Sequence, residues 1–131
     1  MRARLPPASV KTRSLRALFW LALVFAVTMA LLPHPPELLI DSAGDKVEHM
    51  LAFSVLALLG SVAFPQISLA RLGERLSFLG ALVEVFQSIP ALHRDCDVRD
   101  WLADTLAIIV ILLIVNALRA LRLRGRAGPQ A

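Results

Sequence analysis

Residues 97–116 read DVRDWLADTLAIIVILLIVN, and the way polarity is spread along them decides the fold. Aspartates stand at 97, 100 and 104, a spacing that shares one helix face. From Leu106 to Val115 the chain is wholly apolar. The segment Trp101 to Leu118 is interrupted only by Asp104, Thr105 and Asn116. At ~1.5 Å per residue it is long enough to cross the hydrocarbon core of a bilayer.

Three further segments repeat the pattern. Leu15 to Leu32 ends at Pro33-His34-Pro35-Pro36, which cannot continue a helix. Its basic start resembles a secretory signal, but no small-residue cleavage site precedes the prolines, so a first span or signal anchor is the better reading. Residues 47–64 form the second segment, closed by Pro65. The third, 69–89 before Pro90, is the weakest: Arg71, Glu74 and Arg75 occupy its first turns, and its uncharged stretch, Leu76 to Val83, is too short to span alone. It is expected to cross with its basic start at the headgroups and Glu84 facing other helices.

The chain has 131 residues, 57% of them hydrophobic, and a mean hydropathy of +0.69. That is more apolar than a soluble domain usually is. A soluble bundle is the alternative, but four such segments in so short a chain weigh against it. The net charge of +4 does not indicate nucleic acid, because the basic residues form no single patch. Cys96 is the only cysteine, so no internal disulfide can form. Paired-cysteine metal motifs, glycine-rich phosphate loops and nucleophile elbows are absent.

A four-span arrangement starting inside puts 11 of the 14 basic residues on the inner side and leaves Lys46, Arg94 and Arg99 outside. Both termini are therefore expected in the cytoplasm. The fold expected is all-α, an integral membrane four-helix bundle spanning 15–118 between basic tails 1–14 and 119–131. In that arrangement nine of the ten acids, all but Glu74, lie on or near the outer side. Acids contribute little to orientation, so this asymmetry needs a second cause.

Asp45 and His49 share a face of the second helix with Phe53, Glu84 and Gln87 share one of the third, and Asp100 and Asp104 one of the fourth. Three helices thus aim polar groups at one volume. Some have plainer explanations. Asp41, Ser42 and Asp45, or Asp97 and Asp100, suit helix N-termini. Lys46 can snorkel, Trp101 suits an interfacial anchor, and His34 suits a loop. Capping does not explain Glu84, near a helix C-terminus, or Asp104, beyond the first turn. Arg94 is expected to fold back over the helix ends and pair with one of these two acids.

The run Asp45-Lys46-Val47-Glu48-His49 with Phe53, then Glu84-Val85-Phe86-Gln87, then Arg94, Asp100 and Asp104, resembles the VanZ-like membrane proteins over about residues 45 to 110. That family is named for an accessory protein of glycopeptide-resistance clusters, associated with teicoplanin resistance. Two positions depart from its pattern: Asp104 stands where asparagine is usual and Ala107 where glycine is usual. The resemblance implies a multi-pass protein of the bacterial cytoplasmic membrane with a role in the cell envelope or antibiotic response, and supplies no reaction.

The leading expectation is a polar outer-face site, made by Asp45, Lys46, His49, Glu84, Gln87, Arg94, Asp100 and Asp104, that binds an envelope lipid headgroup through its phosphate. Rival readings stay open. A membrane hydrolase or transferase on a lipid-linked substrate would use His49, Glu84 and Asp104, the catalytic candidates. Histidine and carboxylates suit a divalent metal, but no compact ligand motif is present, so no metal is assigned and the cofactor is unknown. A proton-coupled transporter or an accessory subunit, with Glu84 and Asp104 buried, are the others. Partners expected are membrane lipids and a second copy of the chain, with no nucleic acid.

Overall fold

The computed structural model describes residues 10–33, 44–94 and 96–126, and not the side chains of Asp45 and Arg126. His34, Asp41 and Ser42 lie outside that set, as does the side-chain role expected of Asp45. Four α-helices are seen: α1 Val10–Leu31, α2 Asp45–Ala63, α3 Leu69–Gln87 and α4 Val98–Arg126, with a 3-10 turn at Pro90–Leu92. Among the described residues there is no strand.

The helix boundaries follow local chemistry. Ser68 caps α3 by accepting the Arg71 amide at 3.3 Å. Asp97 caps α4, its Oδ1 accepting the Arg99 amide at 2.9 Å. Pro65 follows the end of α2, and Pro90 opens the 3-10 turn after α3. His93 closes that turn in the left-handed region, at φ 50°. The expected tails are partly helical. α1 begins at Val10 and α4 continues to Arg126, because alanine, leucine and arginine favour helix and the arginines at its end complement the helix dipole.

α1 and α2 run antiparallel: Arg16 meets the C-terminal end of α2 at Ala63, and Ala30 lies with His49 at the other. α3 and α4 are antiparallel in the same way, with Glu84 beside Asp97 and Gly73 beside Leu112. α2 and α4 are parallel and share the most extensive contact in the molecule. Phe19, Phe53, Leu56, Leu72, Leu76, Ile108 and Leu112 form the core between them. Small residues allow the close approaches: a Cβ on Gly60 would stand 3.0 Å from Leu72 Cδ1 and 3.1 Å from Phe19 Cε2.

The outward surfaces are strongly apolar. Leu21, Val24, Phe25, Leu102, Leu106, Leu113 and Leu118 are all at least half exposed. α1, α2 and α4 are long and apolar enough to cross a membrane. α3, the expected third span, is not among them, because Arg71, Glu74 and Arg75 fall in its first turns and Glu84 and Gln87 in its last.

At one end of the helices, arginines gather on α2. Arg16 Nε donates to Ala63 O at 3.2 Å and Arg119 donates to Ser61 O at 2.6 Å. These carbonyls belong to the negative end of α2, so two cations from the first and last helices complete its C-terminus. The opposite end carries most of the acids.

Candidate functional site

The acidic end is built where the N-termini of α2 and α4 meet the C-termini of α1 and α3. Asp104 is 1% exposed, Gln87 2%, Glu84 5% and His49 8%, so four polar residues are packed away together. His49 Nδ1 lies 3.6 Å from Asp104 Oδ2. The parallel packing of α2 and α4 makes this contact, since His49 is four residues into one helix and Asp104 six into the other. Nearer the helix ends, Lys46 Nζ approaches Asp100 Oδ1 at 2.5 Å, with the lysine side chain 45% exposed. The two pairs are stacked one turn apart on both helices.

Glu84 and Gln87 tie in the remaining elements. The Glu84 carboxylate accepts the main-chain amide of Asp97 through Oε2 at 3.0 Å, joining the end of α3 to the start of α4. Gln87 Nε2 donates to Ala30 O at 2.9 Å, satisfying a carbonyl in the last turn of α1. What remains unsatisfied is specific: Glu84 Oε1 and Asp104 Oδ1 are buried acceptors without a hydrogen-bond partner among the described residues. Buried polar atoms of this kind are uncommon and each calls for a cause.

The Cys96 thiol lies in the loop beside Glu84. Desolvation, and then the neighbouring Glu84 carboxylate, push its pKa above the ordinary thiol value. Below the pairs, Phe53 fills the place expected on the face of His49, its ring against Gly80, where a Cβ would stand 3.4 Å from both Phe53 and Trp101.

Of the two acids expected to meet Arg94, Glu84 accepts the Asp97 amide and Asp104 stands against His49. The indole Nε1 of Trp101, read as an interfacial anchor, donates to Ser77 O at 3.0 Å. Ser77 also bonds Thr105 at 2.8 Å. This α3–α4 junction escaped sequence reading, although isolated hydroxyls in apolar helices are the signal that would have found it. Asp97, read as a cap, is one.

Among the described residues no group of three or more histidine, cysteine or acidic side chains is placed to hold a metal ion. A void of about 20 Å³ beside His49 is otherwise lined by apolar residues such as Ala26, Ala30 and Val83. The chemistry of the site is therefore that of buried acceptors, one imidazole and one lysine at the mouth. Compared with protein families, curated proteins and solved structures, the chain has no match.

Proposed function

We propose that the chain is a VanZ-like membrane protein, a four-helix bundle with both termini in the cytoplasm, whose outer-face site binds the polar head of an envelope lipid. The parallel packing of α2 and α4 supports four crossings. Two parallel spans must be joined by a segment that returns the chain, and α3, with 19 residues, reaches about 28 Å at 1.5 Å per residue. Its charged first turns then lie at the inner headgroups. Basic residues inside and the arginine-completed end of α2 fit the same orientation. Fusing alkaline phosphatase to the C-terminus tests it: the fusion should be inactive, and an active one refutes the orientation.

The observation that carries the ligand reading is the pair of open acceptors, Glu84 Oε1 and Asp104 Oδ1. An acceptor left without a donor in a buried setting costs free energy, and a ligand hydroxyl or ammonium removes that cost. Lys46 at the mouth is placed to meet the headgroup phosphate, with Asp100 holding its ammonium. The phosphate thus lies shallow and the hydrogen-bond donors deep. Native mass spectrometry of protein from nanodiscs, with lipids that differ only in the headgroup, should show ethanolamine or glycerol heads retained over choline. Lys46→Ala and the pair Glu84→Gln with Asp104→Asn should each reduce retention. Equal retention by all forms would remove the basis of the reading.

A further inference from the structure

α1 and α3 touch little, and between them, toward the basic end, lies a groove of about 390 Å³. Trp20, Leu23, Phe64, Leu79 and Leu82 are among its walls, and among the described residues Arg75 is the one charged residue that lines it. The volume is in the range of small-ligand sites, and the apolar walls exclude a polar occupant. Arg75 is exposed and has no carboxylate partner among the described residues. A second cation stands close: the Arg16 guanidinium carbon lies 5.5 Å from the centroid of the Phe64 ring, which forms part of the wall. From Arg75 the groove follows α3 as far as Leu82, about 10 Å deeper along the helix axis. An apolar trough that begins at a cation and runs toward the membrane interior has the shape of a lipid and the charge opposite to a phosphate.

We propose that this groove binds an anionic glycerophospholipid, one acyl chain lying against Leu23, Leu79 and Leu82 and the phosphate meeting Arg75. The inference rests on the membrane reading above but not on the acidic site at the other end. A guanidinium offers phosphate a planar fork of donors, and basic pockets between membrane helices suit anionic headgroups. A cationic headgroup would find no acid here. The neighbouring groove between α3 and α4, about 550 Å³, carries Glu74 as its charged residue. Its sign repels phosphate, so of these two grooves the α1–α3 one suits anionic lipid.

Trp20 provides the measurement, because it lines the groove and the other tryptophan, Trp101, is held against Ser77. In Trp101→Phe protein reconstituted in bilayers, quenching of Trp20 by phosphatidylglycerol with brominated acyl chains is compared with quenching by brominated phosphatidylcholine. Phosphatidylglycerol is expected to associate more tightly by roughly fivefold, the weight of one arginine near an anionic lipid. Arg75→Gln should bring the ratio to about one, and Arg75→Lys should retain part of the preference. Equal association of both lipids with the Arg75-bearing protein overturns the proposal, as does an unchanged ratio in folded Arg75→Gln. If Arg75→Gln does not fold, the ratio in the Arg75-bearing protein decides alone. Asp104→Asn should leave this ratio unchanged, so loss of headgroup binding at the acidic end and loss of lipid here are separable. Absence of quenching by either lipid would overturn the membrane reading together with this one.

Discussion

Replacing Asp104 by alanine should destabilise the protein far more than replacing it by asparagine, and His49 carries the difference. Both side chains are nearly inaccessible, and Oδ2 stands 3.6 Å from Nδ1. Two unit charges at that separation attract by about 4.6 kcal/mol at an effective dielectric constant of ~20. The cost of removing both ions from water offsets much of this, so the net worth of the pair is smaller than the attraction. The separation is too long for a good hydrogen bond, which makes charge rather than directed bonding the main link. If the imidazole is protonated, alanine takes away the partner of a buried cation, a loss of about 3 to 5 kcal/mol. Asparagine keeps the shape and one acceptor and supplies a donor, so its cost should stay near ~1 kcal/mol. Equilibrium unfolding in mixed micelles of His49→Ala, Asp104→Ala and the double variant measures the coupling directly, expected at about 2 kcal/mol or more. Additivity to within ~0.5 kcal/mol would show that the two residues do not interact and would refute the charged pair.

Three other outcomes follow from named contacts. Because desolvation and Glu84 raise the Cys96 pKa, less thiolate is present near neutral pH. Labelling of intact cells by an impermeant maleimide should therefore be slow and accelerate at higher pH than for a free thiol, while Glu84→Gln should speed it at neutral pH; a Glu84→Gln rate equal to wild type contradicts the contact. Gly60→Ala should cost about 1 to 3 kcal/mol by overpacking, since its Cβ would crowd Leu72 and Phe19. Gly80→Ala meets ordinary contact distances and should be near neutral, so the reverse order of melting temperatures would refute the packing described. Gln87→Leu removes the bond to Ala30 O and should lose about 1 to 3 kcal/mol, the penalty of a buried unsatisfied carbonyl, read as faster amide exchange in the last turn of α1.

Sequence alone determined that the chain is helical, where the apolar part of each helix lies, and that its polar groups are gathered at segment ends; the start of α1 and the end of α4 run past the expected spans into the tails. Proline placement, uninterrupted apolar runs and helical spacing are local properties, and the chain carries them without knowing its neighbours. His49, Glu84, Gln87 and Asp104 were legible as candidates because their spacing put them on helix faces, and all four are buried at one end. Their partners were not legible. That Asp104 meets His49 depends on the parallel alignment of α2 with α4, and that Glu84 meets the Asp97 amide depends on the short connection between α3 and α4. The same holds for Trp101, whose partner Ser77 is brought to its indole by the α3–α4 packing. A side chain's face follows from helical period, but its partner is fixed by how helices slide and rotate against one another. That choice is made by the whole core, through close approaches such as Gly60 against Leu72 and Phe19.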